Sequence, residues 1–216
     1  MKSMLKEAAI LFAITLISGC LLGLVYGVTK DPIAQAQEKA KQEAYQEVFP
    51  SAAEFTECVD ASSGIGTVGI EEQYKTTIDE VMAANDAGGN LLGYVITVTN
   101  HEGYGGDIQF SMGIQNDGTI NGISILSISE TAGLGMKADP VLKEQFPGRN
   151  VEQFTYTKTG AISDDQIDAI SGATITTNAV TDGVNAGLAY FQAIQGNSLV
   201  DAVAPENPEE GGSDNE

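Results

Sequence analysis

The chain has no tryptophan, one histidine and two cysteines among its 216 residues. No Cys-x-x-Cys pair, Cys-x-x-Cys-His run or His-rich cluster occurs. That scarcity excludes iron–sulfur, c-type haem and structural zinc sites built from local motifs. If the protein moves electrons, an organic cofactor has to carry them. Cys20 sits in an apolar run and Cys58 far beyond it, so the two belong to different media and do not pair. Basic residues are also few: ten Lys and Arg stand against 30 Asp and Glu, for a formal charge of −20. A nucleic acid partner is excluded by repulsion from its phosphates.

What the chain does have begins near its start. Ala8 to Thr29 is uncharged and mostly apolar. At ~1.5 Å rise per residue, a helix of that length crosses the ~30 Å hydrocarbon core of a bilayer. Residues 1–30 hold Lys2, Lys6 and Lys30 against Glu7, a balance of +2, which leaves −22 for residues 31–216. The lysines favour an N-terminus inside and an acidic domain outside. A cleaved signal peptide is the rival reading, and Ile17-Ser18-Gly19-Cys20 has the form of a lipoprotein processing site. The apolar run continues through Val28, too far for a cleavage region, which favours a retained anchor over residues 1–30.

Asp31-Pro32 is a helix-start signal, with Asp at the N-cap and Pro in the first turn. Ile33, Ala36, Ala40, Ala44 and Val48 then give a thin apolar stripe at helical spacing. Residues 31–50 are expected as a helical stalk. From about Phe55 the pattern alternates with period two. Ile78–Met82, Leu92–Thr99, Ile108–Ile114 and Ile120–Ile128 read as strands, with turns at Asn85–Asn90 and Asn116-Asp117-Gly118. A further strand of this antiparallel sheet is expected near Phe154–Lys158, and a short helix from Asp139-Pro140 to Phe146. Val180, Val184, Leu188 and Phe191 fit one face of a final helix ending near Ile194. The fold class is α+β, with a globular domain over 51–197. Residues 198–216 form an acidic, Pro/Gly-rich tail expected to be disordered.

The chemistry concentrates in Asp168-Ala-Ile-Ser171-Gly172-Ala173-Thr174-Ile-Thr176-Thr177. A small-residue turn delivers a threonine hydroxyl to a helix N-terminus, where unpaired N–H groups and a partial positive charge favour phosphate. Ser171, Thr176 and Thr177 add hydroxyls. On its own, Ser-Gly-Ala-Thr is equally a turn with a capping threonine. Two other segments give it context. One is Glu130-Thr131-Ala132-Gly133-Leu134-Gly135-Met136-Lys137. The other is His101-Glu102-Gly103-Tyr104-Gly105-Gly106-Asp107-Ile108, where Tyr104 reads as a packed residue, with contact to a bound ring as the alternative, and His101 as a surface one.

The Asp168–Thr174 run resembles the flavinylation motif, Asp-x-x-Ser/Thr-Gly-Ala-Thr, of FMN-binding domains. The resemblance implies FMN joined through its phosphate to Thr174, by a flavin transferase. The segment from Glu130 resembles the family's Glu-Thr-Pro-Gly-Leu-Gly-x-Lys pocket segment, with Ala132 in place of proline. It implies that Glu130, Thr131, Gly133, Leu134, Gly135 and Lys137 line the flavin pocket together with Ser171, Gly172, Ala173, Thr176 and Thr177. Anchor, stalk and these segments in this order resemble the G subunit of Rnf-type ion-translocating ferredoxin:NAD oxidoreductases. The fold so implied is an N-terminal transmembrane helix and helical stalk followed by an antiparallel-sheet FMN-binding domain. The C subunit of the sodium-translocating NADH:quinone reductase shares the motif, and a free-standing flavin shuttle would share the chemistry. The first resemblance implies an electron-relay subunit with no catalytic or metal site of its own. Its partners would be the membrane and iron–sulfur subunits of the complex.

Overall fold

A computed structural model describes residues 2–58 and 67–196. The acidic tail expected at 198–216 lies outside them.

The chain opens with one helix, α1 (Lys2–Val48), which runs without interruption through Pro32. The expected restart at Asp31-Pro32 is therefore absent. Proline removes one N–H and crowds the carbonyl four residues back, but the flanking residues on both sides keep helical conformation. The helix stops instead just before Pro50, whose ring disfavours helical geometry in the preceding residue. Its segment from Met4 contains a stretch long and apolar enough to cross a membrane. Ile33, Ala36 and Ala40 of the expected stripe are exposed, whereas Ala44 and Val48 are buried. Residues 1–42 and 43–216 form separate compact units.

In the second unit, five strands form an antiparallel meander in sequence order: β1 (Glu54–Glu57), β2 (Thr76–Asn85), β3 (Leu91–Asn100), β4 (Ile108–Gln115) and β5 (Ile120–Ser127). The turns fall where Asp-Gly chemistry places them. Asp86 Oδ1 accepts from the Gly88 and Asn90 N–H groups, and Asp117 Oδ1 from that of Thr119. Hydrogen-bond donors hold both exposed carboxyls below the usual carboxylate range, with the Asn90 side-chain amide the largest contribution at Asp86 and the Thr119 N–H at Asp117. Register across the central pair sets Ile96 opposite Met112 and Val98 opposite Phe110.

That register puts Tyr94, Ile96, Val98, Phe110, Met112 and Ile114 on one face, where they form the main core with Val180, Val184, Leu188 and Phe191 of α3 (Thr174–Gly196), the last helix after the short α2 (Thr67–Tyr74). The last helix lies close because it presents Gly187 to the sheet. A Cβ there would stand 2.1 Å from Met112 Sδ. The opposite face carries Ala84 and Val95, covered by Tyr45, Val48 and Phe49 from the last turn of α1 and the residue after it. Glu47 joins this contact. It accepts from Ser124 Oγ at 2.5 Å and pairs with Lys143. Burial alone would raise the Glu47 pKa, but the hydrogen bonds from Lys143 and Ser124 outweigh it and hold the carboxyl below its ordinary value. The Glu47 hydrogen bond in turn raises Lys143.

Two expectations need correction. The strand near Phe154 is β6 (Thr155–Thr157), and it pairs in parallel with β7 (Gln166–Asp168) as a separate two-stranded sheet. Its placement comes from α3: Asn185 Oδ1 accepts from the Phe154 N–H at 2.7 Å, and its Nδ2 donates to the Phe154 carbonyl at 3.0 Å. A buried asparagine thus supplies the backbone partners that a sheet neighbour would give. The helix expected from Asp139 is a chain of short turns over 135–145, 3-10 at both ends and π-helical at Ala138–Leu142. These turns bury Ala138 and Leu142 but do not sustain an α-helical ladder.

Candidate functional site

The site starts where β7 hands the chain to α3. Asp168, the first residue of the motif, is committed elsewhere. Gln145 brackets its backbone, accepting from the Asp168 N–H at 2.7 Å and donating to its carbonyl at 3.1 Å. The Asp168 carboxylate accepts from the Ala161 N–H at 2.7 Å. Asp168 fixes the approach to the helix rather than contacting a ligand.

Ile170 to Ala173 then form a turn closed by the Ala173 N–H on the Ile170 carbonyl. Its third residue, Gly172, has φ +77°, the positive φ that a type II turn requires there. Thr177 locks the turn to the helix, its hydroxyl accepting from the Ile170 N–H at 3.1 Å and donating to the Ala173 carbonyl at 2.9 Å. Thr177 is fully buried. Its hydroxyl is committed to the backbone, and the expected contact with phosphate does not fit this geometry. Thr174 is the first residue of α3 and half-buried. The N–H groups of the first helical turn have no intrahelical acceptor, so this threonine stands at the positive end of a 23-residue helix.

A cavity of about 490 Å³ opens in front of it, lined by Tyr104, Glu130, Thr131, Leu134, Gly135 and residues 172–176. Of the residues expected at the site, these segments bring together Glu130, Thr131, Leu134, Gly135, Gly172, Ala173, Thr174 and Thr176. Ser171, Gly133, Lys137 and Thr177 are not part of the wall. Gly133, at φ +79°, serves the turn in which the Leu134 and Met136 N–H groups both donate to the Thr131 carbonyl. Lys137 is exposed on the far end of that turn, its N–H donating to the Leu134 carbonyl.

One wall residue, Ile175, is not foreseen from the sequence, and another stands where the less favoured reading put it. Tyr104, expected as packed, is 70% exposed. Ile175 is 52% exposed. A signal for Ile175 is present, since it lies off the apolar stripe of α3. Outside α1, the described residues include six exposed large hydrophobics, and three of them, Tyr104, Leu134 and Ile175, line this cavity. A wall that leaves these large apolar groups in water is shaped for a partner with a broad apolar face.

Among the described residues the one charged member of the wall is Glu130, itself 8% exposed. Its Oε1 accepts from the Tyr104 N–H at 2.8 Å. Its Oε2 is buried with no hydrogen-bond partner among the described residues, in the place where Gly135 and Thr176 converge. An ideal Cβ on Gly135 would lie 2.8 Å from Oε2 and 2.6 Å from Thr176 Oγ1. Buried polar atoms are nearly always paired, so this oxygen marks the floor of the cavity as an unfinished polar site. No group of metal-ligating side chains occurs among the described residues. His101 is at the surface, with Nε2 2.8 Å from Thr77 Oγ1 and Nδ1 3.0 Å from Asp107 Oδ1.

These features coincide with recognised sequence families. Residues 103–189 match the FMN-binding domain, and residues 1–48 match the RnfG N-terminal region. The G subunit of the Na(+)-translocating ferredoxin:NAD(+) oxidoreductase complex of Acetobacterium woodii is 35% identical over 199 residues, covering 88% of this chain and 93% of that protein. The G subunit of an ion-translocating oxidoreductase complex of Methanosarcina acetivorans is 32% identical over 197 residues, covering 90% and 98%. Among solved structures, the C subunit of the Na(+)-translocating NADH-quinone reductase of Parabacteroides distasonis aligns with a TM-score of 0.48 at 20% identity, over 80% of this chain and 96% of that one. The chain belongs to the RnfG family of ion-translocating oxidoreductase subunits, as a membrane-anchored member with an FMN-binding domain.

Proposed function

We propose that the chain carries one FMN, esterified through its phosphate to Thr174 Oγ1, and relays electrons within a ferredoxin:NAD oxidoreductase complex that moves ions across a membrane. The observation that carries this reading is the half-buried Thr174 at the N-terminus of α3, on the wall of a cavity whose exposed side chains are largely apolar. When bound, FMN supplies reversible one- and two-electron transfer.

This chain's residues do the rest. The N–H groups of the first turn of α3 face a phosphodiester of about one negative charge, and the helix dipole offsets it by ~0.3–1 kcal/mol. Among the described residues the cavity wall contains no lysine or arginine, so a covalent bond rather than ionic affinity retains the group. Leu134 and Ile175 cover apolar ring surface and exclude water. Thr131, on the cavity wall, would serve the polar ring edge. The domains divide as an anchor over 1–30, a stalk over 31–50 and a flavin domain over 51–197, followed by the acidic segment 198–216. The lysines flanking the apolar run support an inside N-terminus and a flavin domain on the outer face. Its neighbours are the membrane and iron–sulfur subunits, and a flavin transferase acts on it during maturation.

Flavin fluorescence of the denatured protein band tests the attachment. The band is expected to fluoresce in the wild type and in Thr176→Ala, and to be dark in Thr174→Ala. A fluorescent Thr174→Ala band would move the attachment elsewhere. Recovery with integral membrane subunits, rather than as a lone flavoprotein, separates the complex from a free-standing shuttle.

A further inference from the structure

The Gly103–Gly106 loop holds its backbone far more tightly than its central side chain requires. The Tyr104 N–H is anchored on Glu130 Oε1 at 2.8 Å, across 26 residues of sequence. Gly103 and Gly105 on either side leave no room for a Cβ. One placed on Gly103 would lie 2.2 Å from the Gly106 carbonyl oxygen, and one on Gly105 would lie 2.0 Å from the Ser129 carbonyl oxygen. Both obstructions are backbone: at Gly103 the loop is folded tightly on itself, and at Gly105 it is pressed against the β5 exit. Yet the phenol it carries is 70% exposed, while Tyr45, Tyr94 and Tyr190 in the same unit are each under 4%. A clamp of this kind fixes where the ring of Tyr104 can reach, and Tyr104 lines the cavity wall.

We infer that Tyr104 is a positioning residue that lies in van der Waals contact with the isoalloxazine ring of the bound flavin, with Glu130 acting through it by holding its backbone. This rests on the proposed FMN reading. An aromatic side chain packed against a second aromatic system gains dispersion and quadrupole attraction beyond plain area burial. It also restricts the flavin ring and keeps water off it. The contact makes a specific photochemical prediction. A tyrosine touching a photoexcited flavin passes it one electron and takes it back, with no net chemistry, and emission is quenched. Tryptophan does the same. Phenylalanine and leucine are too hard to oxidise to do so.

The test uses the full chain, flavinylated and purified from its native host. Native emission is compared with emission after denaturation, which measures flavin content. The wild type and Tyr104→Trp are expected to be strongly quenched when folded. Tyr104→Leu and Tyr104→Phe are expected to brighten several-fold in the native state, with equal emission once denatured and an unchanged unfolding midpoint. Tyr104→Phe removes only a hydroxyl, so it keeps the test decisive if the leucine variant folds poorly. Native emission in Tyr104→Phe equal to that of the wild type would overturn the contact. A wild-type protein dark after denaturation would instead overturn the FMN reading.

Discussion

The sheet core and the cavity wall share the helix α3, and they treat apolar groups in opposite ways. In the core, Ile96, Phe110 and Met112 are sealed between the sheet and α3 with no exposed surface. In the wall, Tyr104, Leu134 and Ile175 stand from 42% to 70% in water. The core is finished by folding. The wall, with a Glu130 oxygen unpaired among the described residues, is left open by folding. Even within the first turn of α3 the division holds: Thr177 is spent on the backbone, whereas Thr174, three residues earlier, opens on the cavity.

Substitutions should fall on one side or the other of that division. Phe110→Ala, in the core, is expected to cost about 3–5 kcal/mol, read by denaturant unfolding of the full chain in detergent. Thr177→Ala removes a hydroxyl that serves one buried N–H and one carbonyl, and is expected to cost about 1–3 kcal/mol. A Thr177→Ala variant as stable as the wild type would show that the turn and the helix do not need that lock.

The smallest effect is expected at the Glu47–Lys143 pair, which lies outside both regions. The Lys143 and Glu47 side chains are 24% and 46% exposed, so solvent screening limits the pair's contribution to less than about 1 kcal/mol. Glu47 is lowered in the folded protein, so its contribution is present at neutral pH and fades as pH falls through the folded value, below the ordinary 4.5. Lys143 is raised, so its share persists until pH climbs past 10.5. Lys143→Met should lower stability at neutral pH by less than about 1 kcal/mol and so flatten the acid limb, with the two proteins converging once Glu47 is protonated. An acid limb as steep as the wild type's would show that the pair contributes nothing to acid stability.

Local sequence carries part of this organisation and not the rest. Strands β2 to β5 of the meander were legible because alternation and Asp- and Gly-containing turns are local signals, and α3 because its stripe is long. β1 and α2, four and eight residues long, are too short to show a period and were not. The continuity of α1 through Pro32 was not legible. Asp-Pro is a start signal wherever it occurs, and only the stop at Pro50 shows that the first proline was tolerated. The parallel pairing of β6 and β7 was hidden as well, since three residues carry no periodicity and the partner that places β6 is Asn185, on a helix far along the chain. At the site, Thr174 and the Glu130–Gly135 segment were named through their resemblance to the FMN-binding family, since Ser-Gly-Ala-Thr alone is equally a turn with a capping threonine. The exposure of Tyr104 could not be read, because it depends on a carboxylate 26 positions away gripping its backbone.

The most direct test is the intact mass of the chain purified from its native host, beside that of Thr174→Ala. A wild-type polypeptide heavier than its amino acids by one FMN less one water is predicted, and a Thr174→Ala polypeptide with no addition. A wild-type mass equal to that of the amino acids alone, or an addition that survives in Thr174→Ala, would contradict covalent attachment at this threonine.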